Sequence, residues 1–106
     1  MDEKMPTPLD MDQLQTFVAI SDTGSFTRAA EGVFKTQSAV SMQMRRLEER
    51  IGRPLFEKEG RMNRLTDAGE RLLTYARRML RLNGEAVAAS DDSKPIGDRS
   101  IGTTAD

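Results

Sequence analysis

Cysteine and histidine are both absent from this 106-residue sequence, and aromatic residues make up only 5% of it. Without cysteine, the chain cannot form disulfides, cysteine-based zinc fingers or a thiol nucleophile. Without histidine, it also lacks an imidazole general base, which leaves carboxylates as the groups for acid–base chemistry. No metal or cofactor is expected from this composition.

Long apolar runs are missing as well. No stretch approaches the roughly 18 residues of a membrane span, and the start, MDEKMPTPLD, lacks the basic and apolar regions of a signal peptide. We therefore expect a cytoplasmic protein. With 37% apolar residues, the chain can form one small domain with an appendage, but not two independent cores or a deep catalytic cleft.

Charge is unevenly distributed, although the formal net charge is only −1. Residues 25–81 hold 13 Lys and Arg against 7 Asp and Glu, a net charge of +6, whereas the flanks hold 3 against 10, a net charge of −7. A basic block inside a nearly neutral chain is typical of a surface that meets phosphate. The charge pattern therefore indicates nucleic-acid binding.

Helical periodicity and capping residues predict four helices. Gly24 and Gly52 are candidate stops for the first and third helices, and the fourth can run to about Ala89 without a proline. The candidate N-caps are Asp10, Ser25, Thr36 and Thr66. The predicted buried faces of the first three helices carry Leu14, Phe17, Val18 and Ser21, then Phe26, Ala29, Ala30 and Val33, then Val40, Met44, Leu47 and Ile51.

The third helix begins with a segment that contains no carboxylate. From Thr36 to Arg46 its outward residues are Gln, Ser, Met and Arg. Phosphates and the acceptor edges of bases repel Asp and Glu but pair with Gln, Ser and Arg, so this helix end is suited to face DNA. Together with the short second helix and the tight connection at Phe34 and Lys35, the pattern predicts a helix-turn-helix over about 26–45.

A small wing and a long last helix are predicted to follow. The wing consists of two extended pieces, 55–58 and 64–65, joined through Gly60. The last helix has Asp67 and Glu70 in its first turn and more apolar surface than three short helices can cover, so we expect it to pair with a second copy of the chain. The residues predicted for this pairing are Leu72, Ala76, Met79, Leu80 and Asn83.

Four motifs carry a resemblance to a known family: GSFTRAA, TQSAVSMQMRRLE, IGRPLFEK and LTDAG. In this order and spacing they resemble the DNA-binding region of the LysR-type transcriptional regulators of bacteria, over about residues 9–89. The resemblance implies a mainly α fold, a winged helix-turn-helix with a three-helix core and a two-stranded wing in 9–66, followed by a linker or dimerisation helix in 67–89. Residues 1–8 would be a disordered start, and 90–106 a linker and the truncated start of an effector-binding domain.

The same resemblance implies partners for the chain. These are double-stranded operator DNA and a second copy bound through the linker helix, with a tetramer in the full-length protein. A small-molecule inducer would bind only through the missing effector domain.

Site residues are carried over by position, with the third helix in the major groove and the wing in the minor groove. The residues implied for base readout are Gln37, Ser38, Ser41 and Met42 on the helix and Arg61 in the wing. Those implied for backbone contacts are Thr27, Arg28, Thr36, Gln43, Arg45, Lys58 and Arg64. Glu59 departs from the expected polarity of the wing, unless it pairs with Lys58 or Arg61.

Two other function classes are weighed against DNA binding. A protein-interaction module would use the third helix and the linker helix, and its affinity would depend little on salt, whereas DNA affinity falls steeply as salt is added. An enzyme could use Glu57 and Glu59, but nothing in the pattern encloses these two carboxylates. The sequence therefore predicts a DNA-binding protein rather than an enzyme.

Overall fold

The computed structural model describes residues 8–91, and within them four helices and one hairpin follow in chain order. The elements are α1 Met11–Thr23, α2 Phe26–Gly32, α3 Gln37–Ile51, β1 Phe56–Glu59, β2 Met62–Leu65 and α4 Asp67–Ala89. This architecture confirms the predicted fold class, with three core helices, a two-stranded wing and a long final helix. The predictions for residues 1–7 and 92–106 lie outside the described residues. None of the described helices is both long and apolar enough to cross a membrane.

The four predicted N-caps all start a helix. In each case a side-chain oxygen accepts a hydrogen bond from a backbone N–H in the first turn, which stabilises the exposed helix end. The cap residues are Asp10, Ser25, Thr36 and Thr66. Gly24 ends α1 and Gly52 ends α3, and both have left-handed backbone conformations, with φ of 71° and 84°. Short-range capping chemistry therefore fixes the helix boundaries.

The core forms around α1, which packs against α2, α3 and α4. Its fully or nearly buried apolar side chains are Leu14, Phe17, Ile20, Ala29, Ala30, Val40, Met44, Leu47, Leu55, Leu72 and Ala76. Five residues of the predicted faces are only half-buried: Val18, Ser21, Phe26, Val33 and Ile51. Ile20, which is not part of the predicted faces, is fully buried. The three-helix core is thus closed by the start of α4.

The first half of α4 belongs to this core, so the predicted dimer role of two of its residues is corrected. Leu72 and Ala76 are buried within the single chain, so their side chains are already covered. Met79 and Leu80 are half-buried against the same core, and Asn83 is exposed. Helical periodicity identifies an apolar face but does not show whether the chain itself or a partner covers it.

The wing is a tight antiparallel hairpin that is attached to the helices. β1 begins one residue later than predicted and β2 two residues earlier, because pairing with Glu59 brings Met62 into the strand. The ring of Phe56 lies 5.4 Å from that of Phe17 and 5.6 Å from that of Phe26, measured between ring centroids. The backbone N–H of Asn63 also donates to the carbonyl oxygen of Gly24 (3.1 Å). These contacts fix the wing beside the turn between α1 and α2.

Candidate nucleic-acid interface

The helix-turn-helix consists of α2, α3 and a four-residue connection. Lys35 N–H donates to the carbonyl oxygen of Ala30 (2.9 Å), which brings the chain back toward the end of α2. Phe34 has a left-handed backbone, with φ of 60°, and its side chain is 93% exposed. This conformation is uncommon for a non-glycine residue and produces the abrupt change of direction between the helices. The turn therefore sets the position of the first turn of α3.

The outward face of α3 near its N-terminus forms a shallow depression. It is lined by Gln37, Ser38, Ser41, Met42 and Arg45. Ser41 is half-buried and the other four are exposed. The structure thus brings together all four side chains implied for major-groove readout. Arg45 lies beside them, and no carboxylate lines this depression. Apart from the amide oxygen of Gln37, which accepts a hydrogen bond from the Thr27 hydroxyl, the polar groups here can approach a base edge or a phosphate.

A second shallow depression joins α3 to the wing. Its lining residues are Ser25, Phe26, Thr27, Gln37, Ser41, Lys58, Arg61 and Asn63. Gln37 and Ser41 border both depressions, so the two form one continuous surface, which we call the α3–wing surface. Ser25, Phe26 and Asn63 were not among the predicted site residues. The sequence does not mark these three residues as part of a binding surface, because each also has a structural role. Ser25 caps α2, Phe26 contacts the ring of Phe56, and Asn63 pairs with Lys58 in the hairpin.

Lys58 and Arg61 supply the positive charge of the wing on this surface. Both are exposed, and neither takes part in an ion pair within the part of the chain that the structure describes. Arg61 follows Gly60, whose φ of 64° makes the hairpin turn. The two cations therefore stand at the strand end and the tip, where they can meet an approaching phosphate.

Arg64 lies on the other face of the hairpin and is already paired. It is the register partner of Glu57, and its guanidinium lies 3.2 Å from a carboxylate oxygen of Glu59 and 3.9 Å from one of Glu57. Glu59 is therefore paired, and its partner is Arg64 rather than either of the two cations considered from the sequence, Lys58 and Arg61. Side chains on alternate strand positions share a face, so Glu57, Glu59 and Arg64 meet on one side while Lys58 and Asn63 lie on the other.

A cluster of three polar residues holds α3 against α1. Asp12 accepts a hydrogen bond from Gln43 Nε2 (2.7 Å) and another from Lys35 Nζ (3.1 Å). The hydrogen bond and charge of Lys35, with the hydrogen bond of Gln43, outweigh desolvation and lower the pKa of Asp12 below its usual 3.8. Gln43 therefore has its amino group directed at Asp12, away from the role of a phosphate donor implied for it. Asp12 and Lys35 are not among the predicted site residues, since partners 23 and 31 positions apart in the sequence leave no local pattern.

The remaining implied backbone contacts occupy different places. Thr27 lies on the α3–wing surface, and its hydroxyl is 3.2 Å from Gln37 Oε1. Thr36 Oγ1 accepts from Ala39 N–H as the cap of α3, and its side chain is exposed. Arg28 is exposed on α2 but lines neither depression. The structure therefore gathers Thr27, Arg45 and Lys58 around the readout residues and leaves Arg28 and Arg64 outside.

Comparison with known proteins places this surface in a family. Residues 11–70 match the family model described as bacterial regulatory helix-turn-helix protein, lysR family. The regulator PecT of Dickeya dadantii (strain 3937) is 48% identical over 98 residues, which cover 92% of this chain and 31% of PecT. The regulator DgdR of Burkholderia cepacia is 49% identical over 80 residues, which cover 76% of this chain and 27% of DgdR. The chain thus spans less than a third of the length of either relative.

Two similar solved structures contain DNA. The CbnR DBD–DNA complex superposes with a TM-score of 0.73 at 34% identity, covering 77% of this chain and 94% of that one. The complex of BenM DBD with benA site 1 DNA superposes with a TM-score of 0.73 at 30% identity, covering 77% of this chain and 92% of that one. The architecture described above is therefore a winged helix-turn-helix of the kind found in these complexes.

Proposed function

The chain belongs to the lysR family of bacterial regulatory helix-turn-helix proteins, and on this premise we propose that it binds double-stranded operator DNA sequence-specifically. The proposed DNA-binding domain is 9–66 and the proposed linker helix is 67–89. One observation carries the proposal: the α3–wing surface combines the carboxylate-free start of α3 with Lys58 and Arg61, two cations that form no ion pair among residues 8–91. The family is one of transcriptional regulators, and we assign the chain no catalytic role.

In the proposed complex the start of α3 enters the major groove. Gln37 and Ser41 are the main readout residues because they border both depressions of the surface. An amide pairs with two atoms of a purine edge, and a hydroxyl pairs with several base edges. Ser38 lies on the same exposed face, and Met42, 45% exposed, offers an apolar contact suited to a thymine methyl group.

Phosphate and minor-groove contacts are assigned by charge. Arg61, at the hairpin tip, is the proposed minor-groove residue, because a narrow minor groove concentrates negative potential. Lys58 and Arg45 are the leading candidates for phosphate contacts. Arg64 contributes less in this proposal, since its charge is offset by Glu57 and Glu59.

We propose a homodimer that forms through α4. Beyond Leu80 this helix leaves the core, and all residues from Arg81 to Ser90 are exposed. The large apolar side chains exposed on it are Tyr75, Leu82 and Val87, at 58%, 62% and 63% exposure. Met79, Leu80 and Asn83 border this side, and a second α4 would cover it. In the longer regulator, a separate effector domain would bind a small-molecule inducer and join dimers into a tetramer in the bacterial cytoplasm.

The test is selection of bound duplexes from random DNA, followed by two variants. Gln37→Ala should relax preference at one or two base pairs, at a cost of about 1 to 3 kcal/mol per lost contact. Lys58→Ala should instead weaken binding about equally on all sequences and reduce the salt dependence, as loss of one phosphate contact does. Ser41→Ala provides a second readout variant.

The outcomes separate the two functions considered. If Gln37→Ala and Ser41→Ala both keep the base preference of the unaltered chain, α3 does not read the sequence. If the chain selects no duplex, or if affinity is independent of salt, a protein-interaction module using α3 and α4 replaces the proposed function.

A further inference from the structure

We propose that Thr27 is a positioning residue for Gln37, and that its hydroxyl sharpens base discrimination without itself contacting DNA. The Thr27 hydroxyl donates to the amide oxygen of Gln37 across the helix-turn-helix, at 3.2 Å. This inference deepens the proposed function and rests on it, because it concerns how the readout side chain is held. It replaces the role of backbone contact that the family resemblance implies for Thr27.

The two residues are placed by independent features of the fold. Thr27 is the second residue of α2, whose first turn is capped by Ser25, and Gln37 is the first residue of α3, capped by Thr36. Ala29, two residues after Thr27, is buried in the core and anchors α2. The backbones on both sides of the hydrogen bond are therefore fixed, so the bond restrains the Gln37 side chain rather than the fold.

The hydroxyl of Thr27 differs in its partner from three other threonines in helices. Thr16, Thr23 and Thr74 each donate to a backbone carbonyl four residues earlier, the usual local partner. Thr23 is the last residue of α1. Thr27 lies in the first turn of α2, and its hydroxyl donates to the side chain of Gln37 on the neighbouring helix α3. Thr27 thus makes a contact between the two helices of the helix-turn-helix.

This contact matters because the end of a glutamine side chain is poorly determined by itself. Its last torsion has broad, roughly two-fold preferences, and its two ends are opposite in character, one an acceptor and the other a donor. With Oε1 bound to Thr27, the Nε2 amino group is the end that remains for a base. Amino donors suit the N7 and O6 acceptors of purines in the major groove. We therefore propose that Gln37 reads a purine through its amino group, and that Thr27 orients the Gln37 side chain for this contact.

Holding the side chain in advance also lowers the entropy lost on binding. A glutamine that must be ordered at the interface costs part of the affinity, and a side chain already restrained costs less. The restraint acts only on the base pair that Gln37 reads. The signature of a positioning role is therefore a local loss of discrimination, not a uniform loss of affinity.

The experiment compares Thr27→Val, which keeps the shape and removes the hydroxyl, with Thr27→Ser, which keeps the hydroxyl. Binding of the full chain is titrated with the selected duplex, with duplexes substituted at the base pair read by Gln37, and with one carrying a 7-deazapurine there. Thr27→Val should reduce discrimination at that base pair by about 2- to 10-fold, the effect of one neutral hydrogen bond. Thr27→Ser should discriminate at that base pair like the unaltered chain. Replacing the purine by a 7-deazapurine should weaken DNA binding by the unaltered chain more than DNA binding by the Thr27→Val variant.

Two controls isolate the mechanism. In a Gln37→Ala background, Thr27→Val should cause no further change, because the side chain that it positions is gone. Thr74→Val removes another exposed helical hydroxyl, far along the chain in α4, and should leave discrimination unchanged. Urea unfolding of each variant reports the stability of the fold separately from DNA binding.

Specific results would overturn the inference. If Thr27→Val weakens all sequences equally, and does so in the Gln37→Ala background as well, the hydroxyl contacts the DNA backbone directly. If Thr27→Val leaves base discrimination unchanged while Gln37→Ala still relaxes the base preference, the positioning role of Thr27 is rejected and the proposed function stands. If Gln37→Ala itself leaves the preference intact, the positioning role fails because Gln37 reads no base, and Ser41→Ala then decides whether α3 reads the sequence.

Discussion

At the scale of single residues, two kinds of hydrogen bond position the candidate site: helix caps that join near neighbours in the chain, and side-chain bonds that join distant segments. Thr36 and Ser25 indicate helix starts in the sequence, because a cap side chain accepts a hydrogen bond from a backbone N–H only three residues away. Asp12, in contrast, meets Gln43 only after the chain has folded, 31 positions later. For the same reason the carboxylate that pairs with Arg64 could not be chosen correctly from sequence order alone.

Asp12 gives a pH-dependent prediction for stability. Its pKa is lowered in the folded chain, chiefly by the hydrogen bond from Lys35, so the charged form is favoured by folding. The resulting stability is fully present above the unfolded value of 3.8 and is lost as the pH falls through the lower folded value. Asp12→Asn should therefore lower the free energy of unfolding at pH 7, by up to about 1 kcal/mol because the pair is half exposed and screened.

Urea unfolding of both proteins between pH 7 and pH 2.5 is the measurement. The difference in the free energy of unfolding between the two proteins should shrink as the pH falls below 3.8. Lys35→Met should reduce the effect of Asp12→Asn, because it removes the group that contributes most to the lowered pKa. A gap that stays constant over the whole range would contradict this account of Asp12.

At the scale of elements, helices were predicted more accurately than strands. Each helix carries its own start and stop, such as Thr66 at the beginning of α4 and Gly52 at the end of α3. The bounds of β2 depend instead on which residues of β1 it faces, and no local pattern indicates that Met62 pairs with Glu59. Leu55 was predicted to lie in the strand but is a buried residue just before it.

The contact between α4 and the wing depends on one glycine. A Cβ atom at Gly69 would collide with the carbonyl oxygen of Leu55 and lie 2.9 Å from a methyl carbon of Leu65. A backbone carbonyl cannot move aside cheaply, so Gly69→Ala should destabilise the chain by about 1 to 3 kcal/mol. This close approach is a physical reason for the glycine of the motif LTDAG.

Gly84→Ala is the matched control, since Gly84 lies in the same helix with nothing within 4 Å of its added Cβ. That change should stabilise α4 by up to about 1 kcal/mol, the difference in helix propensity between the two residues. The free energies of unfolding of both variants come from urea titrations. Finding that Gly69→Ala is neutral or stabilising would show that α4 does not pack against the wing in this way.

At the scale of the whole molecule, the question is which parts of α4 a single chain can cover. The apolar content of this helix was predicted to exceed the capacity of the core, and the exposure of Leu82 and Val87 agrees with that argument. The sequence could not divide the helix into a half for the chain's own core and a half for a partner. Leu72 and Ala76 fall in the first half because α1 passes alongside the start of α4, a fact of tertiary structure rather than of periodicity.

This division selects the variant that tests the proposed dimer. Aspartate at Met79 would disturb the core as well, because Met79 packs against it, whereas Leu82 is 62% exposed. Leu82→Asp should therefore leave the urea unfolding of the monomer unchanged and shift sedimentation from dimer to monomer. Affinity for a two-half-site operator should fall by a factor of 10 or more, since linked binding to the second half-site is lost, while affinity for a single half-site is retained.

Thr74→Asp supplies the charge-matched control, because it introduces the same carboxylate at an exposed position of α4 outside the stripe of Tyr75 and Leu82. It should sediment as a dimer and bind the two-half-site operator like the unaltered chain. The proposed assembly requires the two variants to differ. A Leu82→Asp protein that still sediments as a dimer would place the interface elsewhere on the molecule. One that is monomeric yet binds the full operator with undiminished affinity would show that each chain reads DNA independently.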